Sequence, residues 1–277
     1  MIRLVGREVF FVHYYRIYYW CVRRLGLGTA FNYGYAPHAN ATTADWSTAE
    51  PYQMEMYHQA ALQLGDDGLR GKRVLKISCG MGGGLDGLRR RCGIGYAVGL
   101  DRSFIAASEA RRRFGVSALA GDARHLPFAD HSFDVVINVE ASHLYFGDEF
   151  VRELARVLVP GGSVLMTDFR YGTSTECEQA LRDAFGEAGF EVVQFRDTTG
   201  NVVAACEADA ARRESLLAAL PWPLRTLGRP WIGTRQSDDY LDLSAGRSMY
   251  FILAARLREL SLPAEPARLS LHAAPPS

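Results

Sequence analysis

The chain has 277 residues, with 31 lysines and arginines against 31 aspartates and glutamates, and is 48% hydrophobic and 22% charged. That length allows one large α/β domain with a sizeable core, the composition is ordinary for a soluble globular protein, and zero net charge removes the basic excess of a dedicated nucleic-acid binder. Five cysteines, at 21, 79, 92, 177 and 206, form no C-x-x-C pair and no disulfide-like spacing, which points to a reducing cytoplasm; no metal-ligand cluster is visible.

In chain order, residues 9–22 are aromatic and apolar but include His13 and Arg16, and the run is shorter than the ~20 residues that span a bilayer. It also lacks the cleavage site and clean apolar core of a secretory signal. Arg3, Arg7, Arg16, Arg23 and Arg24 stand against one acid, Glu8. Two readings stay open: a helix whose aromatic face packs on the domain or covers an apolar ligand, and an interfacial helix making peripheral membrane contact through residues 7–24. Residues 37–51 read as a loop, and 52–64 have the helical spacing of Met54, Tyr57, Ala61 and Leu64.

Residues 74–78 form a short apolar run that enters Gly80-Met81-Gly82-Gly83-Gly84 and leaves toward Leu85 and Leu88, the pattern of strand, tight turn, helix. Glycines at 80, 82 and 84 permit positive φ and close approach to a nucleotide-like ligand, and the following helix offers unpaired N–H groups. A second strand, 96–100, ends at Asp101, about 20 residues beyond the loop, where a doubly wound fold places an acid on a ribose diol. Further spacing predicts helices 84–92, 103–114, near 123–126 and 147–158, with strands 116–119, 133–139 and 163–168. This βαβ alternation implies a parallel sheet covered on both faces. A helix at 174–188, a strand at 190–195, a helical segment near 203–219 and a last strand at 247–256 complete the domain. The tail from Pro263 is proline- and alanine-rich and reads as disordered.

The ordered series Gly80 to Gly84, Asp101, Gly121-Asp122-Ala123, Phe133-Asp134-Val135-Val136 and Leu158-Val159-Pro160-Gly161-Gly162 resembles the motifs of class I S-adenosylmethionine-dependent methyltransferases. Ile77 to Gly84, Asn138 to His143 and Asp168-Phe169-Arg170 resemble more narrowly the O-methyltransferases of phthiotriol and phenolphthiocerol dimycocerosate lipids and of tacrolimus-type macrolides. The resemblance implies a Rossmann-like fold with a mostly parallel seven-stranded sheet. It implies an N-terminal lid over 1–64, a methyltransferase domain over 65–257 and a substrate cap at 200–246.

It further implies that S-adenosylmethionine is held by Tyr35 (or Tyr33), Ser78, Gly80, Gly82, Gly84, Asp101, Arg102, Asp122, Ala123 and Asn138. Asp101 would take the ribose hydroxyls and Asp122 the adenine amino group, with Ala123 offering its backbone N–H. His143, just past a strand end, is the candidate base that takes a hydroxyl proton during transfer, with no metal required. Glu140 either orients it or faces solvent. Glu140, Asp168, Arg170 and Trp231 are the substrate-binding candidates, Asp168 and Arg170 being equally readable as an ion pair.

The expected acceptor is a hydroxyl of a hydrophobic secondary metabolite or lipid of polyketide type. At Lys76 the wider family usually has an acid that organises the glycine loop, so the cation implies weakened cofactor binding, relieved in Lys76→Glu. Two rivals follow from the same residues: a non-methylating cyclase on this fold, and a membrane-surface or partner-binding protein using the basic aromatic segment.

Overall fold

A computed structural model of the chain describes residues 2–37, 46 and 48–259, excluding the side chains of 2–13 and of Trp231. The expected tail and most of the loop at 37–51 lie outside these residues. A long helix, α1 (Ile2–Leu25), and a shorter one, α2 (Pro51–Ala61), precede the sheet. Then β1 (Arg73–Ile77), α3 (Gly83–Cys92), β2 (Tyr96–Asp101), α4 (Phe104–Phe114), β3 (Ser117–Ala120), β4 (Phe133–Val139), α5 (Asp148–Val157) and β5 (Leu158–Tyr171) alternate as the spacing predicts. After α6 (Ser174–Glu187) and β6 (Phe190–Asp197) come four helices, α7 (Thr199–Ala208), α8 (Ala210–Ala219), α9 (Trp222–Gly228) and α10 (Asp238–Ser244), before β7 (Ser248–Leu257).

The seven strands lie in the order β3-β2-β1-β4-β5-β7-β6. β1 pairs in parallel with both β2 and β4, whereas β7 runs antiparallel between β5 and β6. Strand order therefore reverses at β1, and the crevice beyond the carboxyl ends of β1 and β4 is where a doubly wound sheet takes its ligand. Side chains along β1 alternate between the two faces. Leu75 and Ile77 join one buried cluster with Val98, Leu100, Val136 and Phe150, while Val74 joins the other with Tyr57, Val135, Ile137 and Tyr250.

Three expectations change. Residues 123–126 form a turn with an Asp122–His125 bridge rather than a helix. The segment is too short to nucleate before Pro127, and the Asp122 carboxylate accepts the Arg124 N–H at 3.0 Å, an Asx-type turn. The strand expected at 163–168 begins already at Leu158 and runs to Tyr171, accommodated by a register shift opposite Phe133 and Val135. The helix near 203–219 is two, broken at Asp209, whose carboxylate accepts from Gln53 at 2.9 Å and Arg212 at 2.7 Å.

The glycine loop is determined by sterics. Gly82 has φ 89°, and an added Cβ would stand 2.7 Å from the Ala110 Cβ. Gly84 has a different requirement from positive φ: it lies in α3, where a Cβ would meet the Tyr57 ring at 2.2 Å. Gly82→Ala should lower unfolding free energy by about 2–4 kcal/mol, the sum of left-handed strain and overpacking, read as a reduced denaturation midpoint.

Candidate active site

The carboxyl ends of β1, β2, β4 and β5 bring Ser78, Gly80, Asp101, Asn138, Glu140, His143 and Asp168 to one edge of the sheet. Asp101 is buried and its two oxygens accept the Gly80 and Ser103 N–H groups, each at 2.8 Å. Burial raises its pKa, opposed by those bonds and by the Lys76 charge. Ser78 has φ 52°, and its hydroxyl meets Tyr145 Oη at 2.9 Å, which also accepts from Asn138 Nδ2 at 2.6 Å. Asn138 Oδ1 is buried with no hydrogen-bond partner, an acceptor left for a donor that the chain does not supply.

A dyad stands at the end of β4. His143 Nδ1 lies 2.8 Å from Asp168 Oδ1, and its backbone N–H donates to Asp168 Oδ2 at 2.9 Å. Asp168 is fully buried and also accepts from the Ser142 hydroxyl. Burial would raise the Asp168 carboxyl, yet His143, Arg170 and Ser142 together hold it well below the carboxylate range. Burial would likewise lower His143, but the Asp168 charge and hydrogen bond outweigh it and raise the imidazole above 6.5. An ionised carboxylate on Nδ1 selects the Nδ1–H tautomer and leaves Nε2 as the basic nitrogen. The Phe169 ring lies 4.5 Å from the imidazole.

Glu140, with φ 49°, accepts the Tyr33 N–H at 2.7 Å and the Tyr250 hydroxyl at 2.8 Å, both on Oε2. Burial raises its pKa to about 8, so near neutral pH this carboxyl is mostly protonated. Tyr33 also donates its hydroxyl to Asp239. Of the two tyrosines weighed from sequence, Tyr33 reaches this cluster; Tyr35 instead pairs its N–H with the Tyr52 carbonyl at 2.9 Å and lies under the Arg196 guanidinium. Arg170 donates to Ser142 Oγ at 3.0 Å, pairs with Asp168 at 3.6 Å and packs over Phe146, so the ion pair weighed from sequence is present beside the dyad. Asp122 is paired with Arg124 at 2.9 Å, Ala123 is buried in the core and Arg102 is exposed. The Trp231 side chain lies outside the described residues.

Sequence reasoning missed Tyr145, Tyr250, Phe169 and Asp239. Only proximity to His143 along the chain could have flagged Tyr145; the others arrive from β5, β7 and α10. Residues 28–36, within the segment expected as a lid, cross this edge. There Thr29 donates its N–H and hydroxyl to Glu50 at 3.0 and 2.8 Å, and Arg213 donates to the Tyr33 carbonyl at 2.6 Å. Tyr18 and Tyr19 of α1 pack edge-on to Phe31, and the Tyr19 hydroxyl is 3.7 Å from where a Gly80 Cβ would stand.

A methyltransferase-domain family matches residues 75–166. Over 194 residues the chain is 38% identical to phthiotriol/phenolphthiotriol dimycocerosates methyltransferase 1 of Mycobacterium ulcerans, covering 68% of this chain and 69% of that protein. Over 160 residues it is 41% identical to a fatty-acid O-methyltransferase of Mycolicibacterium smegmatis, a match spanning 55% of this chain and 57% of that protein. In fold it resembles the cyclase SpnF, with a TM-score of 0.65 at 22% identity over 88% of this chain and 95% of that one. The sheet order, the glycine loop at β1 and these matches define a class I methyltransferase. The chain belongs to the S-adenosylmethionine-dependent methyltransferases, with the dimycocerosates methyltransferases among its relatives.

The residues present fit that cofactor. Gly80 supplies backbone without Cβ, Asp101 a carboxylate at the end of β2, and Asn138 Oδ1 a buried acceptor without a partner. Lys76 is fully buried on the Tyr57 side of β1, and its ammonium donates to the Ile77 and Ser78 carbonyls at 2.7 and 3.1 Å. Burial lowers its pKa to about 8. Because the folded value lies below the unfolded one, the cost of burying this charge is full below pH about 8 and fades toward 10.5. Where an acid would accept N–H groups, this lysine donates to carbonyls. Lys76→Glu should therefore oppose a carboxylate to two carbonyl oxygens. It should weaken S-adenosylhomocysteine binding at least about tenfold in calorimetric titration, one unfavourable buried charge contact being worth more than 1.4 kcal/mol. This is the reverse of the gain expected from sequence.

Proposed function

We propose that this methyltransferase acts on a hydroxyl of a hydrophobic lipid or polyketide-type metabolite, with His143 as general base and Asp168 as its positioning residue. The observation that carries the reading is the His143–Asp168 dyad at 2.8 Å beside the cofactor loop. Bound S-adenosylmethionine supplies a methyl group on a positively charged sulfur. His143 Nε2 takes the acceptor proton while Asp168 stabilises the imidazolium that forms. Ser142 and Arg170 hold Asp168 ionised, and Phe169 fixes the imidazole plane from one side.

Glu140, joined to Tyr33 and Tyr250, orients the residues facing the dyad. Gly80, Gly82, Gly84, Ser78, Asp101 and Asn138 hold the cofactor. In this reading Asp122, Ala123 and Arg102 border its adenine end, where an adenine amino group would share Asp122 with Arg124.

Residues 1–64 act as lid and α7 to α10 as acceptor cap, supported by the bonds from Arg213 and Asn201 to residues 33 and 36. The lipid and fatty-acid names of the relatives support a hydrophobic acceptor. Peripheral membrane contact through residues 7–24 and a cytoplasmic setting belong to the same reading; the five cysteines are free. Among the described residues no helix is long and apolar enough to cross a membrane, and no group of three His, Cys, Asp or Glu could hold a metal ion.

A hydroxyl needs a base, whereas a fatty-acid carboxylate is already ionised. His143→Ala should cut methylation of a long-chain alcohol or hydroxylated polyketide at least about 100-fold; equal activity in the variant removes His143 as base. Product mass separates the reaction class, since methylation adds a CH₂ and cyclisation adds nothing. In the wild type, kcat/KM should rise with pH through a pKa above 6.5 and then level, because only the neutral imidazole accepts a proton. Asp168→Asn should move that rise to lower pH and leave a plateau lower by about tenfold or more, as measured in initial-rate profiles.

A further inference from the structure

In the part of α1 whose side chains are described, residues 14–25, the inner face meets the cofactor loop and the outer face is exposed. At 100° per residue, Arg16, Ile17, Trp20 and Arg24 fall within an arc of about 100°, opposite Tyr15, Tyr18 and Val22. All four are exposed, Ile17 at 52% and Trp20 at 51%. The Arg24 guanidinium lies 5.6 Å over the Trp20 ring. On one flank, Tyr14 and Cys21 pack on Leu220 and Leu224, which brings α9 alongside with Trp222 exposed at 71% and Leu227 at 41%. On the other flank, Arg23 pairs with Glu109 of α4 at 3.4 Å, which anchors the helix in this orientation.

We infer that this face docks on an anionic lipid surface. The charge argument is local: the whole chain is neutral, yet residues 14–25 contain three arginines and no acid, and with Arg23 paired to Glu109 the exposed face carries Arg16 and Arg24. Aromatic rings flanked by guanidinium groups match the headgroup depth of a bilayer, where the ring is half buried and the cation meets phosphate. Two tryptophans, an isoleucine and a leucine insert too little apolar surface to hold the protein on neutral lipid, so binding depends on the arginines and is salt-sensitive. Docking in this orientation sets the sheet's carboxyl edge, which the same helix covers, next to the phase that dissolves a hydrophobic acceptor. The inference rests on that reading of the acceptor.

The test is flotation of the full chain with phosphatidylcholine vesicles and with vesicles that also contain phosphatidylglycerol, at about 0.1 M and about 1 M salt. Binding is expected only with phosphatidylglycerol and only at low salt. The double variant Arg16→Gln/Arg24→Gln should bind roughly 25-fold more weakly, about fivefold per arginine. Trp20→Ser should also bind more weakly, with an unchanged melting curve.

No flotation with anionic vesicles, equal flotation with both lipids, or binding untouched by these substitutions overturns the inference. So does a dimer in light scattering that Trp20→Ser dissociates, because a second copy would then cover the face. Methylation of a short water-soluble alcohol and of a long-chain one by the same proteins separates the two readings. Wild type that methylates the long-chain alcohol but does not float with anionic vesicles removes the docking alone, and wild type that methylates only the soluble alcohol removes the hydrophobic acceptor.

Discussion

A buried ammonium at the end of the central strand determines the geometry of the ligand edge. β1 lies between β2 and β4, so whatever happens at its carboxyl end is passed to Asp101 on one side and Asn138 on the other. Lys76 reaches past its own strand to the carbonyls of Ile77 and Ser78, where the chain turns into the glycine loop with Ser78 at φ 52°. A pKa lowered from 10.5 to about 8 corresponds to a cost of roughly 3 kcal/mol for keeping the charge in this place. The attraction of the Asp101 and Asp168 charges is already contained in that net shift, and the Tyr57 ring lies under the ammonium at 5.6 Å. The arrangement is self-consistent: the lysine charge lowers the Asp101 pKa against its burial, and Asp101 in turn receives the Gly80 N–H that follows the turn.

The second half of the edge has the opposite electrostatic character. Asp168 is held ionised by the hydrogen bonds of His143 and Ser142 and by the Arg170 charge, Glu140 is held toward its neutral form by burial, and His143 is bonded to Asp168. Two carboxyls within one turn of chain and strand thus have pKa values pushed apart, the pattern by which a site separates a fixed anion from a group that can hold a proton. Phe169, Tyr33 and Tyr250 surround the three with rings, which lowers the local dielectric and strengthens each of these effects.

Enclosure comes from parts of the chain far from the dyad in sequence. Residues 28–36 cross the edge and are tied by Glu50, Arg213 and Asn201. These ties come from α2's N-terminal flank, α8 and α7, so residues 28–36 and the helices inserted before β7 are tied to one another. α1 rests on the inserted segment through Leu220 and Leu224 and on the loop through Tyr19.

The local pattern in the sequence determined the alternation of strands and helices, the glycine loop, the acid at the end of β2 and the position of His143 after β4. These depend on periodicity, on glycine where Cβ cannot fit, and on strand ends, all of which are short-range. The antiparallel insertion of β7 between β5 and β6 was a matter of register with distant strands, invisible in the local pattern of residues 248–257. Whether Asp168 would meet substrate or support a histidine depended on the juxtaposition of β4 and β5, which places Ser142 and His143 over it. That Tyr33 rather than Tyr35 meets the Glu140 cluster depended on Glu140 and Asp239 arriving from β4 and α10. Lys76 looked like an electrostatic fault in sequence because its type was known and its hydrogen-bond partners were not. Only the tertiary structure supplied two carbonyls in reach of its amine, since a buried charge takes its meaning from the groups that surround it.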